Sequence, residues 1–443
     1  MISRSKLWQA NPPQLLAAGF LAVITMGALL LKAPFSLKGN NSLSWVDAFF
    51  TATSATTVTG LVVVDTGTHF TLIGQTIIMI LMQIGGLGLM TFAVMIALLL
   101  GKRIGLISRI LIQESFNQTS LGGMVPLVKL ILIFAFSVEL IAFGFLAFRW
   151  VPEYGWKDGL FTSAFHSISA FNNAGFSLWS DSLTGYVGDP LVNLTITLLF
   201  ISGGIGFVVL ADLFHKKSFR RLQLHTKLML IGTLALNLLA MALIFALEYA
   251  NPNTLGALSG MEKVWAAYFQ AVTPRTAGFN TLDYGAMTDG SITLTMVLMF
   301  IGAGSASTGS GIKLTTFLVI LIAMITYLRG RKEAVVFKET ISSTIIHRSL
   351  AITAISALSV GGCFFLLTIT ESTPFVETLF EAVSAFGTVG LSMGITAELS
   401  SIGKIIIMVL MFIGRVGPVT LAFALAKTES RDIRYAKGEV YTG

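Results

Sequence analysis

Residues 162–176 read TSAFHSISAFNNAGF, a run of small and aromatic residues closing on two asparagines, an alanine, a glycine and a phenylalanine. Three other segments share its frame: DAFFTATSATTVTGL at 47–61, WAAYFQAVTPRTAGF at 265–279 and ETLFEAVSAFGTVGL at 377–391. Aligned on Gly60, Gly175, Gly278 and Gly390, each has an aromatic ten positions earlier (Phe50, Phe165, Tyr268, Phe380) and Leu or Phe directly after the glycine. Ser54, Ser169 and Ser384 stand six positions before it in three of the four. A second landmark follows: GGLG at 85–88, GGIG at 203–206, GAG at 302–304 and GRVG at 414–417. Self-similarity at this spacing marks a chain of fused units.

The material between these landmarks is apolar. Hydrophobic residues make up 54% of the 443 and charged residues only 12%, against about 25% charged in an ordinary soluble domain. Eight runs, at 14–31, 72–100, 127–148, 190–213, 228–247, 292–327, 350–370 and 402–425, approach or exceed the roughly 20 residues of a membrane-crossing helix. Each glycine segment lies after an odd-numbered run and is too short to cross. The predicted unit is therefore span, re-entrant short helix, glycine turn, span, with units at 1–108, 109–221, 222–335 and 336–443. Two crossings per unit give all four the same orientation. Parallel repeats of this kind are related by an axis along the membrane normal. The expected fold is an all-α polytopic membrane protein: four fused span–pore-loop–span repeats with pseudo-fourfold symmetry around one pore, eight transmembrane helices and four re-entrant pore helices.

Charge sets the orientation. The N-terminal arm, 101–129, 214–227, 329–348 and the tail from Lys427 together carry 20 Lys and Arg, and the opposite loops carry seven. The positive-inside rule places the first set, and both termini, in the cytoplasm of a cell with this protein in its plasma membrane. The opposite face holds 14 of the 22 acids, and such a surface concentrates cations at a mouth. Topology already accounts for the basic loops, so nucleic acid is not an expected partner.

A short helix that dips into the membrane must turn back, and non-helical backbone at that depth survives only inside protein or facing water. Glycine allows the unusual dihedrals of the return and lets carbonyls crowd an axis. Four such turns supply rings of carbonyl oxygens that replace the water around a dehydrated cation. The expected filter is Thr57, Val58, Thr59 and Gly60; Asn172, Asn173, Ala174 and Gly175; Arg275, Thr276, Ala277 and Gly278; Gly387, Thr388, Val389 and Gly390. The Asn172 and Asn173 amides and the Thr57, Thr59, Thr276 and Thr388 hydroxyls are positioned to hold neighbouring backbone. A cation aimed at the axis would defeat such a filter, so Arg275 is expected to turn away and brace its loop against an acid.

The third unit is too long. As one helix, 292–327 would measure about 54 Å at about 1.5 Å per residue, against about 30 Å of hydrocarbon. Its middle, GAGSASTGSG at 302–311, is a poor helix former, and an unwound intramembrane loop must line protein or water. Gly302, Gly304, Ser305, Ser307, Thr308, Gly309, Ser310, Gly311 and Lys313 are read as a gate beneath the filter. Lys313 is expected to reach acidic groups or the inner interface. Arg415 occupies the position of Gly86, Gly204 and Ala303 in the other units. An arginine at mid-depth faces a wet cavity or a partner; Arg415 either holds the 304–311 carbonyls and repels cations, or pairs with Glu139.

Enzyme chemistry finds no support. There is one cysteine, Cys363, no HExxH or CxxC spacing for zinc, and GSASTGSGIK at 304–313 lacks the lysine of a phosphate loop. A coupled Na+ or H+ secondary carrier is the alternative. It would call for inverted halves and midplane carboxylates, where the chain offers parallel repeats and Glu139.

At these residues the chain resembles the Trk/Ktr/HKT superfamily of potassium transporters, over nearly its whole length, and within it the KtrB-type membrane subunits of bacterial Ktr uptake systems. The resemblance implies K+ as the transported ion, with Na+ as a candidate activator, no covalent cofactor, and the four glycines as K+-selective filter positions. It matches 302–311 to a pore-obstructing intramembrane loop. It further implies a homodimer, with the tail at Tyr441-Thr442-Gly443 as a candidate contact, and a soluble nucleotide-binding regulatory ring of KtrA type docked on the basic cytoplasmic face.

Overall fold

The computed structural model describes residues 12–39, 41–88, 91, 95, 124–216, 218–418, 420 and 421. The N-terminal arm, most of the 101–129 loop and the tail beyond 421, with Tyr441-Thr442-Gly443, lie outside the described residues.

Taken along the four units expected from the sequence, the first runs α1 (Pro12–Lys32), α2 (Trp45–Thr56) and α3 (Leu72–Leu87). The second holds α4 (Met124–Phe171), α5 (Pro190–Gly204) and α6 (Phe207–His215). The third holds α7 (Leu224–Glu248), α8 (Gly260–Val272), α9 (Asp289–Phe300) and α10 (Leu314–Leu328). A two-stranded hairpin, β1 (Ala334–Val336) and β2 (Glu339–Ile341), leads to α11 (Ser343–Thr370), α12 (Phe375–Gly387) and α13 (Ser401–Val416).

Local chemistry starts each short helix. The Ser44 hydroxyl accepts from the Asp47 amide to cap α2, and Ser259 with Glu262 forms a capping box on α8, each satisfying donors that a helix start leaves unpaired. Pro374 directly precedes α12. In the second unit no loop intervenes: α4 kinks at Gly155 (φ 80°), just past Pro152, and its last turns serve as the short helix.

Among the described residues four helices are long and apolar enough to cross a membrane, α1, α4, α7 and α11. The second run of each unit differs from the continuous span that hydropathy predicts. α3 ends at Gly88 (φ 85°), α13 at Gly417 (φ 94°), and α5 and α6 meet at 91° across Gly206 (φ 105°). α9 stops at Phe300, and α10 resumes only at Leu314. The second landmark of every unit is thus a helix break: at Gly88, Gly206 and Gly417 a left-handed residue cannot continue a right-handed helix, and in the third unit the small residues from Gly302 onward replace helix with loop. The bent pair α5–α6 is a fifth candidate span.

Packing closes a circuit. The helix that follows the glycine turn of one unit meets the helix that carries the short pore segment of the next: α3 on α4, α5 on α8, α9 on α12 and α13 on α2. In lipid, apolar burial drives helix association weakly, so small residues and close backbone approach carry it. Gly85, Gly203 and Gly414 do this within their own units. A Cβ on any of them would lie 2.0 Å from a carbonyl oxygen at the end of a short helix, of Thr56, Phe171 and Phe386 respectively.

Candidate functional site

The four short helices direct their carboxyl ends at one point, and the four glycine turns meet there. The local conformation is the same each time. Val58, Asn173, Thr276 and Thr388, two residues before each glycine, are left-handed (φ 53°, 58°, 73° and 48°). Gly60, Gly175, Gly278 and Gly390 are left-handed again (φ 92°, 69°, 79° and 89°), and the residue between is not. The residue between the two, Thr59, Ala174, Ala277 or Val389, is the one whose carbonyl each turn presents to its neighbour.

Those carbonyls fill the space beside the neighbouring glycine. A Cβ on Gly60 would lie 2.5 Å from the Ala174 oxygen, on Gly175 3.1 Å from that of Ala277, on Gly278 2.1 Å from that of Val389, and on Gly390 2.2 Å from that of Thr59. The contacts pass from unit one to two, three, four and back to one. They form a closed ring of backbone in which glycine is required by both its dihedral and its neighbour. Its electrostatics come from carbonyl oxygens and from the negative ends of four helix dipoles; no acidic side chain belongs to the turns.

Side chains brace the turns from behind. Ser54 and Ser384 hydroxyls accept from the Gly60 and Gly390 amides at 3.1 and 3.2 Å, and Ser169 and Thr273 hydroxyls donate to the Phe176 and Phe279 carbonyls at 2.8 and 2.5 Å. The repeated serine was visible in the sequence; its role was not. Thr57 Oγ1 meets Thr59 Oγ1 at 2.7 Å and donates to the Thr53 carbonyl. Asn172 donates to the Ile168 carbonyl (2.8 Å) and to Gln83 (2.6 Å), and both it and Gln83 serve the buried Glu139 carboxylate. Thr388 departs from expectation, since its hydroxyl makes no hydrogen bond among the described residues.

Arg275 requires a correction. Its side chain lies in a small cavity among Phe200, Ile201, Thr233 and Val272, away from the ring, but no acid pairs with it among the described residues, and Nε and Nη1 lack hydrogen-bond partners. The carboxyl end of α8 beside it supplies the negative field instead.

Loop 302–311 lies against the ring. A Cβ on Gly309 would lie 2.4 Å from Thr276 Oγ1, and one on Gly311 3.4 Å from Gly387 Cα. Ser305 and Ser307 hydroxyls reach Thr315 Oγ1 and the Gly304 carbonyl, and Gly302 packs on the Ser310 carbonyl. Arg415 Nη1 donates to the Thr308 carbonyl and to Ser310 Oγ (3.2 Å), while Nη2 donates to the carbonyls of Gly85 and Gly86 (3.2 Å to the latter). The arginine therefore ties the loop to the end of α3 and does not pair with Glu139. Lys313 Nζ donates to the Gly309 carbonyl at 2.7 Å and pairs with no acid among the described residues. Below the loop lies a cavity of about 280 Å³ whose charged lining among the described residues, Lys313, Arg348 and Arg415, is entirely cationic.

Comparison with known proteins agrees with this architecture. A sequence model of the TrkH family, described as cation transport protein, matches residues 9–434. The chain is 61% identical to Ktr system potassium uptake protein B of Bacillus subtilis, over 98% of this chain and 97% of that one. It is 48% identical to the protein of the same name from Vibrio alginolyticus, over 98% and 96%, and 38% identical to potassium/sodium uptake protein NtpJ of Enterococcus hirae, over 95% and 94%. The crystal structure of the potassium transporter TrkH from Vibrio parahaemolyticus superposes with a TM-score of 0.71 at 21% identity, covering 93% of this chain and 85% of that one; at that identity the likeness speaks for the fold. These relatives are transporters and not enzymes, and the chain belongs to the TrkH family of cation transport proteins.

Proposed function

We propose that this chain is the ion-conducting membrane subunit of a potassium uptake system, passing K+ inward through the ring of glycine turns. The observation that carries the reading is the closed circuit of backbone contacts, 60 to 174, 175 to 277, 278 to 389 and 390 to 59. Carbonyls held at this density replace a hydration shell without charged side chains. The names of the 61% and 48% identical relatives support potassium as the ion; that of the 38% identical relative keeps Na+ as a candidate activator or second ion. On this reading 57–60, 172–175, 275–278 and 387–390 are the filter of four span–pore-loop–span units, and 302–311 with Lys313 and Arg415 is the gate. Arg415 holds the loop across the axis, and the three cations below the loop raise the barrier to cation exit while it is closed. The protein lies in the plasma membrane with both termini cytoplasmic. It works as a homodimer beneath a soluble nucleotide-binding ring on its basic face.

The test is cation flux into liposomes containing the purified chain, comparing K+, Rb+ and Na+, with Gly278→Ser alongside. K+ and Rb+ flux well above Na+, lost or made unselective by the serine, is the expected result. Flux that needs a Na+ or H+ gradient and ignores the substitution would favour a coupled carrier.

A further inference from the structure

Loop 302–311 is fastened in two different ways. Its first part is sewn by backbone to the α5–α6 elbow: the Gly304 amide donates to the Gly204 carbonyl (2.8 Å), Thr308 to Gly203 (3.1 Å), and Phe207 donates back to Ala306 (2.7 Å). The fit is close, since a Cβ on Gly206 would lie 2.5 Å from the Ser305 oxygen and one on Gly304 2.4 Å from that of Ile205. Residues 309–311 make no such backbone bonds to another element among the described residues. Their fastenings are side chains, Lys313 on the Gly309 carbonyl and Arg415 on Ser310, the arginine also holding the Thr308 carbonyl where the sewn part ends, with the left-handed Gly311 (φ 68°) between them and α10.

Thr308 ends the sewn part, and its hydroxyl lies 2.8 Å from the Asn173 amide, whose other end meets Thr276 Oγ1 at 3.1 Å. All three are buried, at 0%, 1% and 0% exposure. Asn173 and Thr276 are the left-handed residues of turns two and three, and a β-branched residue at positive φ, as Thr276 is, must be held there by its surroundings. Their counterparts in turns one and four, Val58 and Thr388, make no side-chain hydrogen bond to the loop.

We propose that Thr308 is a positioning residue of the filter and not part of the moving gate: through Asn173 and Thr276 it sets turns two and three, while residues 309–311 swing. The proposal rests on the reading of the ring as a potassium filter. A buried neutral hydrogen bond contributes about 1 kcal/mol, so removing the Thr308 hydroxyl should cost about fivefold in selectivity, since a tenfold change corresponds to about 1.4 kcal/mol.

The experiment is K+ and Na+ flux into liposomes for the full chain, Thr308→Val, Thr308→Ser, Thr276→Val and Arg415→Gln. The expected result is a K+ over Na+ ratio about fivefold lower in Thr308→Val and Thr276→Val, restored in Thr308→Ser. Arg415→Gln should raise flux at an unchanged ratio. Thr308→Val that raises flux at an unchanged ratio, as Arg415→Gln does, would overturn the proposal and make Thr308 a latch. Should Thr308→Val not fold, Thr276→Val breaks the other end of the bridge, and an unchanged ratio there overturns the proposal equally. A wild-type protein without K+ preference would instead sink the filter reading itself.

Discussion

Around the glycine ring one backbone contact is made four times, whereas across loop 302–311, a few ångströms away, no contact is repeated. The ring is held by the chain's own geometry: alternating hands, a missing Cβ and a neighbour's carbonyl in its place. The far part of the loop is held by two cations, Arg415 reaching from α13 to Ser310 and Lys313 from the loop's own end to Gly309. Backbone closed on itself has few ways to rearrange, while a guanidinium on carbonyls can exchange partners. The difference teaches which part of the site should be rigid and selective and which should move.

Alanine at the four glycines gives the largest effects, and a graded series. Left-handed backbone costs a non-glycine residue about 1–2 kcal/mol before any collision. Collision distances of 2.1 and 2.2 Å at Gly278 and Gly390, 2.5 Å at Gly60 and 2.9 Å from the nearest atom at Gly175 order the damage. Flux assays should find K+ over Na+ discrimination reduced at least about tenfold in Gly278→Ala and Gly390→Ala, and least in Gly175→Ala. Equal damage at all four would break the claim that the neighbour's carbonyl sets the limit.

Arg415→Gln comes next. Hydrogen bonds from a charged donor contribute about 1.5–3 kcal/mol, so their loss should shift the loop toward open by about tenfold or more, read as increased flux at constant discrimination. A collapse of discrimination in the same variant would mean that ring and loop are not separable.

A smaller effect is expected from Ser54→Ala and Ser384→Ala. Each leaves a glycine amide without its acceptor, buried at Gly60 and part-buried at Gly390, at a cost of up to about 1–3 kcal/mol. Thermal unfolding in detergent should report it, together with weaker stabilisation by added K+.

The smallest concerns the rim, where Lys404 on α13 meets Asp47 on α2 at 2.8 Å and joins the fourth unit to the first. Burial pushes the Asp47 carboxyl up, but hydrogen bonds from Lys404 and Ser44 and the Lys404 charge outweigh it, holding it below its ordinary value. A depressed carboxylate contributes stability above its unfolded pKa of about 4 and loses it as pH falls further. Melting temperature should be insensitive to pH near neutrality, where the pair's contribution is fully present, and drop below about pH 4, with the drop reduced in Asp47→Asn.

The repeated parts of the molecule were legible because four copies average out coincidence: glycine and aromatic offsets locate all four turns, and the serine offset three of them. The left-handed residues before the glycines were not, since Val58, Asn173, Thr276 and Thr388 share no side-chain chemistry and their dihedrals are set by packing. Nor were the breaks at Gly88, Gly206 and Gly417, because hydropathy continues through them and one glycine inside an apolar run also suits a straight helix. The break at 301–313 was legible only because ten small residues interrupt the run. Arg275 shows the opposite limit: sequence told where it should not point, but an acid partner was inferred from charge alone, and the carboxyl end of α8 stands there instead.

The most direct test of the central claim is anomalous diffraction from crystals of the protein grown with Rb+ or Tl+ in place of K+. The account predicts a peak on the axis of the ring, within coordination distance of the carbonyls of Thr59, Ala174, Ala277 and Val389, and weakened in Gly278→Ala. A peak at Glu139 or another buried carboxylate, with none at the ring, would contradict it.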